Sequence, residues 1–285
     1  MKIKSFKANN LSEALDFLDE YKDRAKLIAG GTDIVIELKN KEISPEAMID
    51  ISDVVEIRDI KEENGNYRVG AGVTFSEIVC SDLFDERMAG LVDAAHSVGS
   101  PQIRNTGTVG GNICNGSPAA DTVPPLLALG AAAVIVSKSG EREIELKDMF
   151  LDKGKVDLKP GEMLKEVVFK KPEQGEAVSF SKLGLRKALA ISRICTAVYI
   201  KADGGKIVEA RIGNGALGRY GMREDEVESK LKNKPLSDST INESVLDMEK
   251  AIKERLAGRS SVEFKGEAVK GIYRDALTKA VESLK

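Results

Sequence analysis

Residues Gly99 to Asp121, GSPQIRNTGTVGGNICNGSPAAD, hold five glycines and two prolines in 23 positions. So long a loop inside a compact domain is uncommon unless it binds something. Gly110 and Gly111 carry no side chain, so their N–H groups can approach an anion and adopt the φ values of an anion-binding nest. Thr106, Thr108, Asn112 and Asn115 add hydroxyl and amide partners. Asp121 closes the stretch. A carboxylate repels phosphate but accepts hydrogen bonds from a sugar hydroxyl. It could equally cap a helix starting near Val123. A phosphate cradle followed by a sugar-reading carboxylate points to a nucleotide cofactor.

A second candidate lies upstream. Lys26 to Ala29 reads as a strand, Gly30-Gly31-Thr32-Asp33 as a turn, and Ile34 to Lys39 as a short helix capped by Thr32 or Asp33. N–H groups and the helix dipole converge at such a turn, which suits an anion. A plain tight turn is the competing reading.

Composition excludes several other chemistries. The chain has 285 residues, room for two domains, and a net charge of −3, which argues against nucleic acid as a partner. Aromatic residues make up 5% and tryptophan is absent, so no base-stacking platform is expected. Cys80, Cys114 and Cys195 are far apart, there is no CxxC, and His96 is the single histidine. That set does not make a zinc site or an iron–sulfur cluster on this chain. No apolar run reaches membrane-spanning length and MKIKSFKANN has no signal-peptide core. Unpaired cysteines and no leader together suggest a cytoplasmic protein.

The elements that must position these residues follow from pattern. Asn10 with Glu13 caps a helix carrying Leu11, Ala14, Leu15 and Leu18. Residues 47 to 60 alternate like a strand, Asn64-Gly65 marks a hairpin into Tyr67-Arg68-Val69, and Thr74 with Glu77 forms a capping box. Leu83 to Val98 reads as helix, the glycine-rich stretch as loop, Val123 to Leu129 as helix, and Ala131 to Val136 as strand. Ser139-Gly140 turns the chain, 150 to 161 reads as loop, and Leu164 to Phe169 as strand. Lys171 to Gly175 is the expected domain boundary. Beyond it, Val178 to Leu183, Ile191 to Lys201 and Lys206 to Ile212 read as strands. Met222 to Leu231, Ile241 to Leu256 and Val269 to Leu284 read as helices, so an α+β second domain is expected. Gly213-Asn214-Gly215-Ala216-Leu217-Gly218 matches GxGxxG after a strand. No second parallel strand follows the helix, however, so a dinucleotide-binding Rossmann unit is not supported and a glycine-rich connection is the alternative.

LIAGGTDI (27–34) and NTGTVGGNICNGSPAAD (105–121), in that order and spacing, resemble the FAD-binding subunit of the molybdenum-containing hydroxylases, the family of xanthine dehydrogenase and the carbon monoxide dehydrogenase flavoprotein. The likeness extends to Gly161-Glu162-Met163-Leu164, to Phe180-Ser181-Lys182 with Arg186, and to Gly271-Ile272-Tyr273-Arg274. The resemblance implies an α+β fold: a PCMH-type FAD-binding domain over 1–173, in two subdomains of about 1–54 and 55–173, then a C-terminal domain over 174–285 with a small antiparallel sheet and helices. It implies that Leu27, Ile28, Ala29, Gly30, Gly31, Thr32, Asp33 and Ile34, with Thr108, Val109, Gly110, Gly111 and Asn112, grip FAD. It implies that Asp121 binds a ribose or ribityl hydroxyl, and that Leu164 and Lys182 lie near the isoalloxazine. An ammonium there favours a ring that gains negative charge on reduction. Larger family members place an aromatic ring on the flavin where this chain has Val98.

The function this implies is electron transfer. A molybdenum subunit hydroxylates substrate, iron–sulfur clusters on a partner subunit pass electrons to FAD, and FAD reduces NAD⁺ or another acceptor. Two alternatives are a self-contained FAD-dependent oxidoreductase of the same fold and a flavin-free scaffold subunit. The first would need acid–base groups in a C-terminal part that has no histidine and only Cys195.

Overall fold

In the computed structural model, which describes residues 3–284, the chain forms three layered units in sequence order. The first is a parallel sheet in the order β1 (Lys4–Lys7), β3 (Ala47–Asp50), β2 (Ala25–Ile28), with α1 (Leu11–Tyr21) and α2 (Ile34–Lys39) in the connections. The Asn10 side chain accepts from the Glu13 N–H at 2.9 Å, the cap its spacing predicts. Ala14, Leu18 and Tyr21 on α1 close over Ala47 and Ile49. The alternating pattern of 47 to 60 is not one strand. Asp50 accepts from the Ser52 N–H at 2.9 Å, the chain turns, and a 3-10 turn at Val55–Ile57 precedes β4 (Ile60–Glu63).

The second unit is a five-stranded antiparallel sheet in the order β4-β5-β10-β6-β7, with β5 at Asn66–Gly70, β6 at Ala132–Ser137, β7 at Gly140–Glu145 and β10 at Met163–Lys170. Asn64 and Gly65 both take positive φ in the β4–β5 hairpin, as its Asn-Gly sequence predicts. Thr74 and Glu77 make the full capping box for α3 (Phe75–Val79). The helix expected over Leu83–Val98 is shorter: a 3-10 turn at Glu86–Met88 leads into α4 (Ala89–His96). The stretch 99 to 121 is not an open loop. It holds the single-turn α5 (Pro101–Arg104) and α6 (Val109–Cys114), followed by α7 (Val123–Ala128). Residues 150 to 161 are likewise not all loop, because β8 (Phe150–Asp152) pairs with β9 (Lys155–Val156).

The third unit is an antiparallel sheet of β11 (Glu176–Gly184), β12 (Ser192–Asp203), β13 (Lys206–Gly215) and β14 (Met222–Arg223). Helices α8 (Asp225–Leu231), α9 (Asp238–Arg255) and α10 (Val262–Glu282) follow. Met222 and Arg223 pair with Asn214 and Gly213, so the helix expected from Met222 starts only at Asp225. Both faces of this sheet are buried. Ile194, Val198 and Ile200 pack on the C-terminal helices, while Cys195, Ala197 and Tyr199 share a core with the second unit. Two glycines allow that contact. A Cβ at Gly90 would lie 2.6 Å from the Ser179 carbonyl carbon, and one at Gly213 would lie 2.1 Å from the Pro124 oxygen. The GxGxxG match is therefore the end of β13 laid against α7, where a side chain has no room. No helix among the described residues is long and apolar enough to cross a membrane.

Candidate functional site

The two glycine motifs meet in space. Gly30, in the turn after β2, packs on the backbone of Thr106 and Gly107; a Cβ there would fall 1.7 Å from the Thr106 oxygen. Gly31 follows with φ +71°, a conformation that turns successive N–H groups to one side. Among the described residues, no backbone or side-chain acceptor takes the N–H groups of Ala29, Gly30, Gly31, Thr32, Asp33 or Ile34. Asp33 occupies the cap position of α2 but its side chain makes no capping bond; the Thr32 hydroxyl turns to it at 3.4 Å. Leu27 and Ile28 end β2, held to β3 by the Ile51 N–H on the Ile28 carbonyl at 2.9 Å. A run of uncommitted donors with no side chain at its tightest point has the chemistry that binding an anion requires.

The second motif plays a different part from the one its glycines suggest. The Gly110 N–H donates to the Ala71 carbonyl at 2.8 Å, and that of Val109 to Val73 at 2.9 Å. The Gly111 N–H donates to the Thr108 hydroxyl, which caps α6, at 3.0 Å. These donors are committed, so the nest expected at Gly110-Gly111 is not free for an anion. Gly110 is glycine because α6 lies on the chain after β5: a Cβ would meet that of Ala71 at 2.5 Å. Asn112 accepts from the Thr122 hydroxyl at 2.7 Å. The Thr106 hydroxyl donates to the Gln102 carbonyl at 3.1 Å. The motif is thus a rigid wall against which the first turn is set.

Asp121 and Lys182, far apart in sequence, form an ion pair at 2.6 Å with both side chains largely buried. Lys182 also donates to the Ser97 carbonyl at 3.0 Å, and the Ser192 hydroxyl donates to the other Asp121 oxygen. Burial pushes the Asp121 carboxyl above its usual range, against the pull of the Lys182 ammonium. Asp121 does not cap α7; Thr122 holds that position without a side-chain capping bond. Each group keeps spare capacity. Lys182 has a third hydrogen and each Asp121 oxygen a further lone pair, so the pair can still meet a ligand.

Leu164 lies in β10 opposite Ile135 and is a core residue with Val167 and Phe169. Val98 is half-buried beside the same core, and Arg104 donates to the Val98 and Gly99 carbonyls at 3.2 Å each. Ser97 and Ser192 had no local signal, since each enters the site by a contact with a residue far along the chain. His96 is exposed at the end of α4, outside the contacts of the buried Asp121–Lys182 pair, and burial raises the Cys195 thiol well above its usual range, so Cys195 offers no nucleophile. Among the described residues no group of His, Cys, Asp and Glu is placed to hold a metal.

Residues 1–171 match the FAD binding domain in molybdopterin dehydrogenase, and residues 179–280 match the CO dehydrogenase flavoprotein C-terminal domain. The chain is 34% identical to the nicotinate dehydrogenase FAD-subunit of Eubacterium barkeri, over 98% of this chain and 96% of that one. It is 32% identical to the xanthine dehydrogenase FAD-binding subunit of Escherichia coli O157:H7, over 96% and 94%. Among solved structures, a chain of carbon monoxide dehydrogenase from Hydrogenophaga pseudoflava superposes with a TM-score of 0.92 at 26% identity, over 99% of this chain and 98% of that one.

Proposed function

We infer the function of this chain from its kinship: it belongs to the FAD-binding subunits of the molybdenum-containing dehydrogenases. It is a subunit of an oxidoreductase, and FAD is its cofactor. Its residues fit the cofactor. The observation that carries the assignment of a site is the row of uncommitted N–H groups from Ala29 to Ile34, seated on Thr106-Gly107. These donors would hold the pyrophosphate, with an anion replacing the missing acceptors and held by fixed dipoles. Leu27 and Ile28 carry the turn from β2, and Thr108, Val109, Gly110, Gly111 and Asn112 form the wall behind it. Asp121 would accept from a ribose or ribityl hydroxyl with a free lone pair. Lys182 would hold its positive charge near the isoalloxazine, and Leu164, in the core of β10, would support that side of the site.

When bound, FAD supplies the redox chemistry; the chain holds and orients it and sets its charge environment. The molybdenum and iron–sulfur centres are assigned to partner subunits, in keeping with this chain's membership of the FAD-binding subunits. The chain then stands between a partner iron–sulfur cluster and the final acceptor, NAD⁺ or another, in a cytoplasmic complex.

The test is a visible absorbance spectrum of the full chain, purified alone and with its co-expressed partners, followed by acid release and identification of the nucleotide. FAD near one per chain supports the reading, and bleaching by NADH would make NAD⁺ the acceptor. A colourless chain in a correctly formed complex overturns it in favour of a scaffold role.

A further inference from the structure

Asp121 is held from two directions by the third unit. Lys182 on β11 donates to one carboxylate oxygen at 2.6 Å, and Ser192, the first residue of β12, donates to the other. Asp121 is 6% exposed and Ser192 4% exposed, and the buried Cys195 thiol lies against both the Ser192 hydroxyl and the Asp121 carboxylate. The two donors are not equivalent. Lys182 also reaches the Ser97 carbonyl at 3.0 Å and has one hydrogen left. Ser192 donates to the carboxylate and has only the weakly bonding Cys195 thiol beside it.

The consequence follows from hydrogen-bond bookkeeping. A buried carboxylate oxygen without a donor is costly. Without the Ser192 hydroxyl, the Cys195 thiol beside the carboxylate is only a weak substitute, and the strong donor at hand is the Lys182 ammonium already on the neighbouring oxygen. The ammonium would move to share both oxygens, and its remaining hydrogen would turn away from the direction it now takes. We propose that Ser192 is a positioning residue for the flavin: through Asp121 it fixes the direction of the Lys182 ammonium, and so the reduction potential of the bound FAD. This rests on the functional reading above, in which Lys182 faces the ring. Charge arriving on the ring is stabilised by a nearby cation with a steep dependence on distance.

The experiment compares Ser192→Ala, Ser192→Cys and Ser192→Thr in the full chain loaded with FAD, reading flavin content by acid release and midpoint potential by a dye-coupled titration. S192A is expected to keep FAD at the unsubstituted stoichiometry. Its two-electron reduction equilibrium should become at least tenfold less favourable, a fall of about 30 mV. S192C, of similar size and a weaker donor, moves the potential the same way, and S192T, which keeps the hydroxyl, restores it. A purely structural role for Ser192 would lower thermal stability and leave the potential unmoved. An unchanged potential in S192A overturns the inference, and so does a folded S192A chain that holds no FAD. Should S192A not fold, S192C carries the test, and an unmoved potential there has the same meaning. An unsubstituted chain without FAD, alone and in its complex, refutes the functional reading itself, before any variant is compared.

Discussion

Replacing Gly30 by alanine should separate the two motifs that build the cradle. The added Cβ would lie 1.7 Å from the Thr106 oxygen, 2.4 Å from its carbonyl carbon and 3.0 Å from the Gly107 nitrogen. All three are backbone atoms, so no side chain can swing aside. Relief to ordinary van der Waals separation needs the turn and the wall to part by about 1.5 Å. Overpacking of this kind costs about 1–3 kcal/mol, equivalent to roughly 2–10 °C in melting temperature for a chain of this size. The effect on the cofactor should be larger than that on the fold. Backbone donors lose their hydrogen bonds when acceptors shift by about 1 Å beyond normal range, and several donors would shift together. G30A is therefore expected to bind FAD at least tenfold more weakly, measured by fluorescence titration of the apo chain, with a modest fall in melting temperature. Gly271→Ala is the control. It lies in α10 with nothing within 4 Å of its Cβ position. Gaining helix propensity there should be neutral or stabilising by up to about 1 kcal/mol. A G30A chain with unaltered FAD affinity and melting temperature would refute the contact between the motifs.

Other outcomes test other parts of the account. Glu224 is buried and accepts from both terminal Arg255 guanidinium nitrogens at 2.6 Å and from Asn214 at 2.9 Å; E224A leaves the buried Asn214 amide without its acceptor and the half-buried Arg255 without its partner, and should cost about 1–3 kcal/mol, or about 2–10 °C in a thermal melt. Gly213→Ala drives a Cβ to 2.1 Å from the Pro124 oxygen, so it should destabilise the chain, whereas FAD-independent NAD binding, the property of a Rossmann unit, should be absent before and after. The Arg142 guanidinium holds Glu162 below the usual carboxylate range. Its stabilising contribution is present above the ordinary value of 4.5 and is lost as the pH falls through the lower native value. E162Q should thus melt below the unsubstituted chain at pH 7, with the gap closing as the pH is lowered; a gap that does not change with pH would contradict the pairing.

Local chemistry made much of the fold legible. The caps at Asn10 and Thr74, the Asn64-Gly65 hairpin and the long strands of the third unit all depend on neighbours within a few residues. The errors have physical causes of the same kind. Helix α6 was hidden because Gly110 and Gly111 have poor helix propensity, and the tertiary bonds of Val109 and Gly110 to Val73 and Ala71 offset it. Met222 and Arg223 belong to a strand because Gly213 and Asn214 pair with them, which periodicity alone does not show. At the site, the spacing of glycines located both motifs but not their division of labour. Ala29 to Ile34 keep their donors open and Gly110 and Gly111 do not. That difference is set by where Ala71 and Thr108 lie, as the Asp121–Lys182 pair is set by β11 coming to rest beside the end of the glycine-rich segment.

The most direct measurement is an experimental structure of the chain, in its complex, with FAD bound. The account predicts pyrophosphate oxygens about 2.7–3.2 Å from backbone nitrogens of the Ala29–Ile34 turn, with the Gly110 N–H still on Ala71 and the Lys182 ammonium still on Asp121 while facing the ring. A pyrophosphate seated elsewhere, or a turn whose N–H groups are taken up by the chain's own carbonyls in the bound state, would contradict it.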